Sequence, residues 1–333
     1  METSATYHTV DVAKLVAAIL VVAIHSQPFT GLTEIVVVRY MARMAVPFFF
    51  LASAFFFFKR PKERQNWRHY VRRLLLLYLF WFVIELPITV LHAFIEPNAP
   101  FSQNLMHFVR NLFFGSTFYG SWFLTALVEC IPAICLLSKV LRTSVLCAIG
   151  VVLYAVVVLF TYYQGFFPET WQQLARSMGH IETTFLAAFA FCAFGKWIAE
   201  NEDFVRNARN LNPLLGLSLV LGLIEVVVVN SMNPPSANDC YFMLLVMVPL
   251  MFVFLLRHEA HADADYRRLR MYSTVMYFSH FVFVFIFVVV NKHFMPIPPL
   301  VKYVSVLMLS LLSSEIIRRI SGTTYGNLFR YSY

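Results

Sequence analysis

Stretches of about 18 to 24 mainly apolar residues recur from one end of the chain to the other, each long enough to cross a bilayer as a helix. The pattern predicts ten spans, at residues 10–28, 34–58, 70–93, 119–138, 144–163, 181–199, 211–230, 240–257, 272–291 and 298–319. A short helix around Asn104 to Phe114 is expected at the membrane interface. The fold class that follows is all-α, a polytopic transmembrane helical bundle. The loops are short, so residues 1–333 read as a single membrane domain whose work is done in or at the bilayer.

The first span breaks its own apolar pattern. Val10 to His25, VDVAKLVAAILVVAIH, carries Asp11, Lys14 and His25. At about 100° per residue these three fall within roughly 60° of one another, on one stripe of the helix. Ionisable groups inside a span cost roughly 2.5 kcal/mol or more each, so by default they face a protein interior or a wet cavity. Lys14 and His25 lie about 16 Å apart along the helix axis, half the hydrocarbon thickness. The helix therefore reads as a link between the two sides of the membrane.

Composition agrees: 59% of residues are apolar, 13% are charged, and 35 are Phe. Such a balance excludes an ordinary soluble domain. No charged n-region or small-residue cleavage pattern surrounds the first span, so it is expected to be retained. Of the five Cys, Cys130, Cys135, Cys147 and Cys192 lie in apolar spans and Cys240 near a boundary, with neither a disulfide framework nor metal-ligand spacing. The net charge of +8 is explained by topology, not by nucleic acid. Most Lys and Arg, among them Lys59, Arg60, Lys62, Arg64, Arg72, Arg73, Arg257, Arg267, Arg318, Arg319 and Arg330, fall in loops on one side, and few, such as Arg110 and Lys292, on the other. The positive-inside rule then predicts that both termini are cytoplasmic.

With that orientation the ionisable residues sort into two layers. The inner one is basic, with Lys14, Arg72 and Arg73, and suits a phosphate-bearing ligand from the cytosol. The outer one joins His25 to Arg39 and Arg43, which are four apart and share one face, and to one or more carboxylates, the composition of a general base and its charge partners. Glu85, Glu129 and Glu225 are the span carboxylates in question, Trp122 shares a face with Glu129, and His280 stands near mid-membrane in the ninth span. Each residue also has a structural reading. Arg72 and Arg73 serve equally as positive-inside anchors, and Lys14 as a snorkelling lysine. Arg39 and Arg43 can pair with Glu85 or Glu225, and Glu129 and Glu225 can act as counter-charges. His280 can be a core histidine with both ring nitrogens satisfied, and Trp122 an interfacial anchor. The Phe residues at 48–50 and 55–58 read as lipid-facing or packing surface. His258, His261, Asp263 and Asp265 form a solvated loop with no metal pattern.

The opening DVAKLVAAILVVAIH, with a basic residue, ten residues and then His, followed by RMAVPFFFLASAFFFF, resembles the start of the acyltransferase-3 family of integral-membrane acyltransferases. YVRRLLLLYLFW resembles that family's third span, GSWFLTAL its Trp-containing motif, and RLRMYSTVMYFSHFVFVF its penultimate span, with Tyr-x-x-His at Tyr277 and His280. The resemblance implies a multi-pass protein of the cell membrane, in a bacterium the cytoplasmic membrane. It implies transfer of an acyl group, usually acetyl from acetyl-coenzyme A, to a hydroxyl of an extracytoplasmic or lipid-linked carbohydrate-type acceptor, without a metal. It assigns His25 to the catalytic centre, where a carboxylate such as Glu129 would orient it and a nearby arginine such as Arg43 would stabilise the developing oxyanion. Lys14, Arg72 and Arg73 fall to the donor, and Arg39, Trp122, Glu225 and His280 remain for the acceptor side. The chain departs from the family's two arginines three apart at the start of span three, where Leu76 follows Arg73 and His69 precedes Arg72. Ala54 stands where Gly is common, and no esterase-like or racemase domain is expected to follow. The alternative to an enzyme is a small-solute or amino-acid transporter using the same polar path, which would require discontinuous helices around a closable midplane site.

Overall fold

A computed structural model describes residues 7–95, 100–114, 116–232, 240–258, 265–323 and 328–333. Apolar runs become helices because a lipid-embedded backbone must satisfy its own hydrogen bonds. In chain order the helices are α1 (His8–Ser26), α2 (Gly31–Phe58), α3 (Trp67–Ile95) and α4 (Phe101–Phe114), then α5 (Trp122–Leu137), α6 (Thr143–Phe160), α7 (Glu169–Met178) and α8 (Phe185–Glu200). After these come α9 (Glu202–Arg206), α10 (Leu211–Met232), α11 (Leu244–Arg257), α12 (Tyr266–His293) and α13 (Pro299–Ser321). Among the described residues, α1, α2, α3, α6, α10, α12 and α13 are long and apolar enough to cross a membrane. An eighth candidate is a broken one, in which Glu169–Thr183 and Phe185–Glu200 meet at 44°. The predicted spans 119–138 and 240–257 coincide with shorter apolar helices, α5 of 16 residues and α11 of 14. At 1.5 Å per residue these cover only about 21 to 24 Å of a roughly 30 Å core.

Short polar side chains mark where several helices begin. Asn66 accepts the His69 N–H ahead of α3, Thr184 the Leu186 N–H ahead of α8, and Asp265 the Arg268 N–H ahead of α12. Each satisfies a donor that the first helical turn would otherwise leave open.

The long helix α2 is the most enclosed of the candidate spans. Its Phe48, Phe50, Phe55, Phe57 and Phe58 are buried, so this aromatic run is interior packing and not lipid-facing surface. Helix α8 lies between α2 and α6, where small residues let the backbones approach, the usual way helices associate in lipid. A Cβ added to Gly195 would stand 2.4 Å from the Leu51 carbonyl oxygen, and one added to Gly150 would stand 2.6 Å from Ala190 Cα. On the other side α1 packs along α12 and α13, joined by buried Ala18, Val22, Met276 and Val306. This packing brings the His25 end of α1 against α12. At the opposite end Glu202, on α9, ties three residues, with ion pairs to Lys59 (2.6 Å) and Arg206 (2.7 Å) and a hydrogen bond from the Tyr7 hydroxyl.

Candidate functional site

His25 occupies the last turn of α1, and His280 the α12 surface packed against it. Their ring centroids are 5.3 Å apart, and the Phe281 ring touches both, at 4.6 Å from His25 and 4.0 Å from His280. His280 is fully buried; its Nδ1 lies 3.0 Å from the Met276 carbonyl, while Nε2 has no hydrogen-bond partner. The core-histidine reading with both nitrogens satisfied therefore fails at one nitrogen. His25 is exposed, and among the described residues no hydrogen bond engages its ring. Two imidazoles with open nitrogens, one of them accessible, form an arrangement able to accept and pass a proton.

Beside this pair lies a cavity of about 40 Å³, lined by Arg43 of α2, Trp122 of α5, Glu182, Tyr154, Cys240 and Ile24, the residue before His25. Glu182 sits in the 3-10 turn Ile181–Thr183 ahead of α8, is buried, and bonds His180 Nδ1 at 2.8 Å. It is a carboxylate that sequence reasoning passed over. The available signal was its place at the first residues of the predicted 181–199 span, beside a capping Thr184. Trp122 and Arg43 do meet in one cavity. Glu129, one helical stretch deeper on α5, is half-buried and makes no ion pair or hydrogen bond to His25. The expected orienting carboxylate is thus absent from His25 among the described residues.

Arg39 and Arg43 part company. The expected shared face assumes regular α-helical winding, but α2 is a π-helix over Glu34–Met41 and a 3-10 turn over Ala42–Met44. A π segment places residues five apart together, and such segments recur at functional sites. Arg39 accordingly pairs with Glu34, five residues earlier, at 2.7 Å, and donates to Asn230 Oδ1 at 2.6 Å. Its partner is neither Glu85 nor Glu225. Glu225 accepts the Phe242 and Met243 N–H groups at 2.8 and 2.9 Å and the Tyr163 hydroxyl at 3.0 Å. That places a carboxylate at the amino end of α11, a favourable site for negative charge, and commits Glu225 to holding the fold. Glu85 is buried inside α3.

The basic layer is also divided. Lys14 pairs with Asp11 at 3.5 Å and lies 4.3 Å over the Phe56 ring, and Arg270 joins the same Asp11 at 3.3 Å. Arg72 and Arg73 are exposed on the first turns of α3, with no ion pair or hydrogen bond to Lys14. All five cysteines are free, and among the described residues no group of three His, Cys, Asp or Glu is gathered as for a metal. In the acidic loop after α11, His261 and Asp263 lie outside the described residues.

Residues 7–319 match the protein family described as Acyltransferase domain, the acyltransferase-3 family. The chain is also similar to an amino-acid racemase of Enterococcus faecalis, at 21% identity over 74% of this chain and 33% of that protein. A serine/alanine racemase of Enterococcus gallinarum is 23% identical over 76% of this chain and 37% of its own length. The chain thus spans little more than a third of these curated relatives at most. No solved structure matches it.

Proposed function

The chain belongs to the acyltransferase-3 family and is a membrane acyltransferase, and from that premise we propose that it carries an acyl group, acetyl in the simplest case, from cytoplasmic coenzyme A to a hydroxyl of an extracytoplasmic or lipid-linked carbohydrate-type acceptor. In this reading the broken pair and the two shorter apolar helices complete a ten-span bundle in the cell membrane, with both termini cytoplasmic and residues 1–333 acting as one domain.

His25 is the general base. It takes the proton from the acceptor hydroxyl as the oxygen attacks the thioester carbonyl. The tetrahedral intermediate collapses with loss of the thiolate, which recovers the proton from the imidazolium, leaving an ester and a free thiol. Arg43, in the adjoining cavity, faces the developing oxyanion, a role whose loss typically costs 10²–10³ in kcat. Lys14 holds donor phosphate at the inner end of α1, with Arg72 and Arg73 at the rim of α3. The carrying observation is the accessible His25 ring without a hydrogen-bond partner among the described residues, 5.3 Å from His280. Arg39 and Glu225 are left out because their polar groups are engaged within the fold.

The test is coenzyme A binding and acetyl-coenzyme A turnover by the protein in nanodiscs, for wild type, His25→Ala and Lys14→Ala. Retained binding with lost transfer or hydrolysis in His25→Ala, and weakened binding in Lys14→Ala, is expected. Folded protein that binds no coenzyme A overturns the donor assignment. The 44° break before α8 favours, as a second reading, passage of a small solute; flux in proteoliposomes without coenzyme A would establish it.

A further inference from the structure

A second and larger cavity, about 440 Å³, lies between the end of α3, helix α4 and the segment 116–119. Its size falls in the range of small-molecule sites. It lies one ring away from His25, through the Phe281 ring that contacts both Tyr119 in its wall and His25. Its lining contains no Lys, Arg, Asp or Glu. Its polar lining is instead Thr89, Thr117, Asn104, Asn111, His92 and Tyr119, with the Thr117 hydroxyl bonded to that of Tyr78. Thr89 is 4% exposed, and its hydroxyl has no hydrogen-bond partner. A buried, unspent hydroxyl is costly unless something arrives to bond it. The 116–119 wall is held in place, since Ser121 Oγ accepts the Thr117 N–H at 3.0 Å.

One aromatic partition separates this cavity from the histidines. Tyr119, in the wall, stacks on Phe281 at 5.8 Å and 18°, and Phe281 is the ring that touches His25 and His280. Phe281 lies over Gly120, whose φ is +77°; a Cβ there would stand 2.4 Å from Phe281 Cε2. Only glycine allows both that backbone and that ring position.

We propose that this cavity seats the acyl acceptor, that the part it holds is a neutral, hydroxyl-rich ring of sugar type, and that Phe281 is the partition the reacting hydroxyl must pass to reach His25. The proposal rests on the acyltransfer reading. Amides and hydroxyls pair with ring hydroxyls, and aromatic faces cover the apolar side of a sugar. A zwitterionic amino acid would need charged partners for its carboxylate and ammonium groups, and the lining supplies none.

The test labels His107→Cys, at an exposed position in the lining, with a membrane-impermeant maleimide in nanodiscs. The probes are methyl glycosides of neutral hexoses, methyl glucuronide and L-serine. Neutral glycosides are expected to slow labelling, methyl glucuronide and L-serine to leave it unchanged, and Thr89→Val and Asn111→Ala to raise the half-protecting concentration about 5- to 10-fold each, the effect of one lost hydrogen bond. Equal protection by L-serine, or none by any neutral glycoside, overturns the proposal. His25→Ala keeps the protection, so failure of acyl transfer appears separately, as absent acetyl-coenzyme A turnover. Gly120→Ala should cut transfer to glycosides at least 10-fold while folding and labelling persist; unchanged transfer removes Phe281 from the route.

Discussion

Glu225 offers the sharpest separation of site from scaffold. Replacing it with Ala removes one carboxylate that receives three donors, the Phe242 and Met243 N–H groups and the Tyr163 hydroxyl. Losing a helix-capping side chain costs about 0.5–2 kcal/mol, and each buried donor left unpaired adds about 1–3 kcal/mol, less where water reaches it. A total of roughly 2–4 kcal/mol is reasonable for a half-buried cluster, since such costs do not simply add. Glu225→Gln keeps an acceptor oxygen for the Phe242 N–H and the Tyr163 hydroxyl, but it forfeits the charge at the amino end of α11, about 0.3–1 kcal/mol, and the pairing of the Met243 N–H, which its amide nitrogen cannot accept. At about 2–4 °C per kcal/mol, Ala should lower the melting temperature by roughly 4–16 °C and Gln by less than Ala. A thiol-reactive dye reads this unfolding directly, because Cys130, Cys192 and Cys240 are buried and free. The KM values for donor and acceptor should stay at wild type in both. An unshifted melting temperature together with a raised KM would refute the structural assignment and return Glu225 to the site.

Gly195→Ala should destabilise the protein by about 1–3 kcal/mol, the cost of overpacking, because its Cβ meets the Leu51 carbonyl at 2.4 Å, whereas Gly216→Ala, with nothing within 4 Å, should be neutral or slightly stabilising in the same melt. Arg43→Ala should lower kcat by 10²–10³ with coenzyme A affinity retained; an effect confined to affinity would move Arg43 to donor binding. Burial opposes the charge on Glu202, yet its hydrogen bonds and ion pairs with Lys59 and Arg206 hold its carboxyl below the ordinary carboxylate value. That stabilisation is complete above the unfolded carboxylate value and is lost as pH falls through the lower folded one, so melting temperatures measured downward from pH 5 should fall more steeply for wild type than for Glu202→Gln. Parallel curves would show that this cluster contributes nothing to the pH dependence.

How much was legible in advance depends on whether a property is local or shared. Hydrophobic span length is local, so the helical membrane class and the position of each apolar helix were readable from the chain, as was the Lys14-to-His25 stripe that points to the family. The pairing of His25 with His280 was not, because it depends on α1 packing along α12, a contact between residues far apart in sequence. The choice between Glu85, Glu225 and Glu34 as the partner of Arg39 required the π-helical winding of α2, which resets the angular phase that a regular helix would carry from Arg39 to Arg43. Glu182 went unnoticed because a carboxylate at a span boundary looks solvated until the turn before α8 folds it inward. The uncharged cavity beside Tyr119 was equally hidden, since its Asn, Thr and His residues are ordinary interfacial polar groups in sequence. The amino-acid sequence by itself determined that this chain lies in a membrane, is helical and carries an acyltransferase framework, because burial in lipid is set by composition over a single segment. Only the tertiary structure decided which buried charges serve the scaffold and which face a cavity, because each ion pair and cap forms where two separately encoded helices meet, and their relative rotation is set by packing.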